Sequence, residues 1–192
     1  MLNLTERFSW QKVFLSLFSF LLAIFLLLLI ATPTALASLN DDRFDGNIFA
    51  LYAGNGSLVP AKVTLKESLK SSRPAILVFF LDDSKDCKQF STVVSQLQEF
   101  YGRAADFIPV NVDAMTNFVT DDSTKPAYYY QGFVPQTVII NQEGKVVLNE
   151  KGQVAFEKVD DTFREVFDLL PRSESVELKR RILNEINVEL RE

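Results

Sequence analysis

Ser84 and Cys87 close the tetrapeptide Ser-Lys-Asp-Cys just after an apolar run, which is the spacing of a Cys-x-x-Cys redox pair whose first cysteine has become serine. Dithiol exchange needs an attacking thiolate of low pKa and a second thiol that releases the mixed disulfide, so this change removes the ordinary attacking group. Cys87 is the single cysteine of the 192-residue chain, and an intrachain disulfide cannot form. Two readings of Cys87 follow. One is a small buried core side chain. The other is a monothiol, stabilised by a helix N-terminus, that works as an oxidoreductase or traps client thiols in a mixed disulfide. Ser84, at the lost nucleophile position, reads as the cap of the helix that follows. Asp82, Asp83 and Asp86 oppose a thiolate and read as solvated loop carboxylates rather than metal ligands. The chain has no histidine, and with one cysteine this excludes a nitrogen-and-sulfur zinc site and a Ser-His triad. No cofactor and no metal is implied.

The elements that position this pair are legible from periodicity. Residues 75–81 form a continuous apolar run, as in a central strand covered on both faces. In residues 84–102 the apolar positions Cys87, Phe90, Val93, Val94, Leu97, Phe100 and Tyr101 recur at helical steps, and Gly102 stops the helix. Residues 106–112 read as a strand in which Pro109 disfavours a central ladder. Residues 137–141 and 145–148 flank a Gly-containing turn and form a hairpin, and a closing helix spans 156–170. Upstream, 48–53 is strand-like, while Thr64 and Glu67 have capping-box spacing for a short helix stopped at Arg73-Pro74. Residues 114–131 mix polar residues with Tyr128, Tyr129 and Tyr130, and a helix entered through a loop is expected there. This order gives an α/β fold with a mixed central sheet flanked by helices.

The ends carry different information. Arg7 and Lys12 precede an 18-residue apolar run over 13–30, about 27 Å long as a helix. That length approaches a membrane span, whereas Ala35-Leu-Ala37 fits cleavage of an export signal, so residues 1–37 are a signal peptide or a membrane anchor. Positive charge before the run and Asp41 and Asp42 after it place the remaining domain on the non-cytoplasmic side. Residues 38–47 read as a linker, 48–171 as one domain, and 172–192 as an amphipathic helix with an apolar stripe from Val176 to Leu190, which docks on the domain or meets a partner. With 20 Lys and Arg against 25 Asp and Glu, and no basic cluster, nucleic acid is not a partner.

The leader, Leu81 to Phe90, Val110-Asn-Val-Asp113 and Gly132-Phe-Val-Pro-Gln-Thr-Val-Ile-Ile-Asn141 resemble the thioredoxin-like superfamily. Within it they are most similar to the cyanobacterial thylakoid thioredoxin-like proteins of photosystem I accumulation. The resemblance implies a thioredoxin-like fold preceded by an N-terminal hydrophobic helix. It also implies a thylakoid membrane location with the domain in the lumen, and photosystem I subunits or assembly intermediates as partners. At Val134-Pro135 it implies a cis peptide beside the redox helix, whose backbone pairs with an extended client peptide; an ordinary proline turn before the hairpin is the alternative. Asp83 stands where active thioredoxins carry a tryptophan.

Overall fold

The computed structural model describes residues 10–31 and 38–175, and the chain divides between Leu36 and Ala37 into two compact units. The first unit holds helix α1, Trp10–Ala31, on which Phe14, Phe18, Phe20 and Leu27 are all more than half exposed. Among the described residues no helix is long and apolar enough to cross a membrane. The cleavage position after Ala37 and the amphipathic stripe over 176–190 lie outside the described residues.

The second unit is an α/β domain built on four strands: β1 (Ala75–Phe80), β2 (Asp106–Asn111), β3 (Gln136–Ile140) and β4 (Val146–Lys151), in the spatial order β2-β1-β3-β4. β1 is parallel to β2 and antiparallel to β3, and β3 and β4 form the expected hairpin. All six residues of β1 are buried, because each of its faces meets a separate layer. Ile76, Val78 and Phe80 pack with Phe90, Val94 and Leu97 of α4 (Lys85–Tyr101) and Val159 and Phe163 of α5 (Phe156–Val166). Ala75, Leu77 and Phe79 face Leu65 of α3 (Leu65–Lys70) and Tyr129. The capping box forms as expected, with Thr64 accepting from the Glu67 N–H and Glu67 from the Thr64 N–H. Pro109 is accommodated because β2 is an edge strand.

Four expectations are corrected. Residues 48–53 are not a strand but contain α2, Ile48–Leu51. Asn47 caps it through the Ala50 N–H, and the consecutive residues Ile48 and Phe49 are both fully buried, which an alternating strand does not allow. Residues 114–131 form no α-helix. Two 3-10 turns, Val112–Ala114 and Pro126–Tyr129, are joined by loop in which Asp122 accepts from the Thr124 N–H at 3.0 Å, a local bond that competes with helix formation. The closing helix ends at Val166 rather than Leu170, since Asp168 takes a positive φ of 50°. Finally, 38–45 is not a free linker. It lies as a strap on α4, where the fully buried Lys88 donates to Asp45 Oδ2 (2.8 Å), Asp41 Oδ1 (3.2 Å) and the carbonyls of Ser38 and Asp41.

Candidate functional site

The N-terminus of α4 and the loop before β3 converge where the sequence placed its paired motifs. Ser84 is the N-cap of α4, and its Oγ accepts from the Cys87 N–H at 3.3 Å. The next available donor, the Lys85 N–H, is taken at 2.8 Å by Asp42 of the strap. The backbone donors that lower the pKa of a reactive cysteine at a helix start are thus engaged by a serine and a carboxylate. Cys87 is 2 % exposed. Burial pushes its thiol above the ordinary value, hydrogen bonds with the Ser84 side chain and the Leu81 backbone oppose this without cancelling it, and the charges of Asp86 and Asp83 reinforce the rise. At neutral pH the sulfur is a buried, protonated thiol.

The three carboxylates expected as loop charges differ from one another. Asp82 is half-buried and structural: Oδ1 accepts from the Ile48 N–H (3.1 Å) and Oδ2 from Asn111 Nδ2 (2.9 Å), tying α2 and the end of β2 to the end of β1. Burial raises its pKa, and the nearby Asp83 and Asp113 add to the rise. Asp86 is exposed and accepts from Gln153 Nε2. Among the described residues no group of three acidic, cysteine or histidine side chains is arranged to hold a metal.

On the other side of the site, Val134-Pro135 is cis, the geometry the resemblance implied; Val59-Pro60 is a second cis bond that the sequence reading did not anticipate. Pro135 O accepts from the Gly152 N–H at 2.7 Å. Val134 is different, since neither its N–H nor its C=O has a hydrogen-bond partner among the described residues. The loop carrying it is held by the buried Gln136, whose Nε2 donates to Tyr129 O (2.8 Å) and Asn149 Oδ1 (2.9 Å) and whose Oε1 accepts from the Gln131 N–H (2.9 Å). Tyr130 is clamped between those two bonds. Its ring lies 5.2 Å from Phe79 and 6.1 Å from Phe118, and burial first, then the neighbouring Cys87 sulfur, raise its phenol pKa. Phe118 (53 %) and Phe133 (55 %) remain exposed, the latter under Lys151 Nζ at 4.3 Å.

This arrangement offers an unpaired backbone amide and carbonyl on a rigid loop, beside exposed aromatic surface, and withholds a nucleophile. Sequence reasoning placed Ser84, Cys87, Val134 and Pro135 together and missed Gln136, Tyr130, Phe118 and the Lys88 strap. For Gln136 the available signal was its place directly after Pro135 in the motif, and for Tyr130 its place two residues before the motif begins. An insulin-reduction assay with dithiothreitol is expected to match the blank lacking protein. Ser84→Cys is expected to lower the free thiols titrated in the unfolded protein from two to none after oxidation, because the helix start already sets the spacing of a redox pair; two thiols persisting under oxidant would refute that register.

A family model described as a thioredoxin-like domain matches residues 61–167. The chain is 57 % identical over 157 residues to a thylakoid membrane protein of Synechocystis sp., covering 82 % of this chain and 78 % of that one. Among solved structures, a malarial protein aligns with a TM-score of 0.39 at 16 % identity, covering 49 % of this chain and 97 % of its own. The germline-specific thioredoxin Deadhead of Drosophila melanogaster aligns with a TM-score of 0.42 at 17 % identity, covering 52 % and 86 %.

Proposed function

The chain belongs to the thioredoxin-like domain family, and from that premise we propose that it supports photosystem I assembly or accumulation by binding rather than by dithiol exchange. It acts at the thylakoid membrane with its domain in the lumen. The observation that carries the binding reading is the site itself: the thiol is buried and protonated while the Val134 backbone groups have no partner among the described residues and the adjoining Phe133 is exposed. An extended segment of a photosystem I subunit or assembly intermediate adds to these groups as a strand does to a sheet edge. The likeness of the leader and the three quoted motifs to the photosystem I accumulation proteins supports the partner. The thylakoid relative supports the compartment.

Replacing Cys87 with serine in a strain that depends on this protein tests the mechanism. Full recovery of photosystem I is expected. Loss of photosystem I with a normally folded variant would establish instead the monothiol oxidoreductase or thiol-trapping reading through Cys87. The membrane part of the proposal has its own check. Protease added to sealed thylakoids from the outer side is expected to spare the domain, and carbonate washing is expected to leave an anchored chain in the pellet; release with a new N-terminus near Ser38 would show a cleaved leader. Digestion of the domain from the outer side would overturn the orientation.

A further inference from the structure

Among the described residues the sheet ends at β2 with nothing paired beyond it, since 48–53 folds as helix rather than as a fifth strand. The Asp106 N–H donates to Pro74 O, and in a parallel ladder alternate residues face the same neighbour. Ile108 and Val110 therefore also turn their backbone to β1, while Phe107, Pro109 and Asn111 turn theirs outward. Pro109 has no N–H, which leaves the Phe107 amide and carbonyl, the Pro109 carbonyl and the Asn111 amide along the open side. Over the Ile108–Asn111 part of this edge runs a groove of about 610 Å³. Its walls are Ala61, Val63 and Leu65 on one side and Met115 and Pro126 on the other. Lys66 and Lys125 stand at its lining; Lys66 is exposed and makes no ion pair among the described residues, and Lys125 reaches Asp122 only at 3.6 Å on the surface.

We propose that this groove is a second binding site, separate from the Val134 loop, which takes an extended polypeptide segment of a partner as an added edge strand. The segment is apolar at alternate positions and acidic at its flank. The apolar alternation follows from strand geometry, because every second side chain of an added strand points toward the apolar lining of Val63 and Met115. The acidic flank follows from charge: on a chain of net charge −5, this lining carries Lys66 and Lys125 against the single carboxylate of Asp122, and Lys66 has no ion-pair partner among the described residues. Pro109 fits the same role. A proline on an open edge removes one donor and discourages open-ended pairing between copies, while the remaining groups still accept a single short strand.

The test uses the full chain and an eight-residue acetylated peptide, Thr-Val-Thr-Ile-Thr-Val-Glu-Glu, with a Lys-Lys-ended peptide as comparison. Amide hydrogen exchange at Phe107 and Asn111 is expected to be fast in the protein alone and slowed by the acidic peptide, and exchange at Val134 is expected to be unchanged. Lys66→Glu together with Lys125→Glu, both surface changes, is expected to weaken the acidic peptide by about fivefold or more and to favour the basic one. Three results would overturn the proposal. These are Phe107 and Asn111 amides already protected without peptide, meaning that the chain covers its own edge; no slowing with peptide; or affinity indifferent to the charge reversal.

Discussion

Phe163→Ala will remove ~3–5 kcal/mol of the domain's stability, a large share of the ~5–15 kcal/mol a domain of this kind possesses. The ring is fully buried and joins the layer of α4 and α5 to the sheet, with centroids 4.7 Å from Tyr101, 5.9 Å from Phe167 and 6.3 Å from Phe107. Truncation leaves a void walled by other aromatic rings, which are too stiff to collapse into it. Urea unfolding checks this: the midpoint drops while the slope stays constant, and Phe163→Leu loses less because the void is smaller. A midpoint unchanged by the alanine would show that α5 is not part of the packed core.

Lys88→Met will release the strap. The methionine keeps the aliphatic stem and removes the cation that gathers Ser38, Asp41 and Asp45, so the segment loses its buried anchor. Trypsin cleavage after the exposed Arg43 is expected to accelerate by about tenfold while the domain stays folded; an unchanged rate would mean that other contacts hold the strap. The pH dependence has a definite sign. Hydrogen bonds from Lys88 and Tyr52 hold the Asp45 carboxyl down to about 2, so its contribution is complete above the ordinary value near 3.8 and is lost as pH falls from there through about 2. For Lys88, burial alone would lower the pKa, but its bonds to Asp45 and Asp41 outweigh it and raise it. Its contribution is present below the ordinary 10.5 and disappears only as pH rises past the raised value. The strap of the unmutated chain therefore stays closed at pH 5 and loosens between about 4 and 2.

What could be read from the sequence was local. The Thr64–Glu67 box and the Ser84 cap rest on side chains reaching backbone three residues away, the Gly102 stop and the Gly144 turn on the backbone of the glycine itself, and each is found. The failures are where distant partners decide. Ile48 and Phe49 have a β-compatible composition, yet Asn47 caps them locally and the Asp82 carboxylate accepts the Ile48 N–H from 34 positions further on. Lys88 sits between Cys87 and Phe90 and looks like the charged flank of a helix. Only the acidic residues of 41–45, folded back across 43 positions or more, make it a core residue. At the site, Cys87 and Pro135 were legible because they belong to a motif. The carboxylate that accepts the Lys85 N–H was not, since Asp42 arrives from a segment that composition alone marks as a tether.

The Tyr101 hydroxyl, donating to Asp160 Oδ1 in a site where Arg164 also binds Asp160, gives the domain an optical signature in alkali. Burial and the Asp160 bond push this phenol far above its ordinary 10.0, and burial also raises Tyr52, Tyr129 and Tyr130. Four of the chain's five tyrosines thus resist ionisation in the native state. A phenol with a raised folded pKa stabilises the fold less and less once pH exceeds its unfolded value, so alkali works against this domain through its own chromophores. In an ultraviolet absorbance titration, most phenolate colour would be delayed past the range of a free tyrosine, and the Tyr101 share would arrive in one step with the collapse of the α4 and α5 layer.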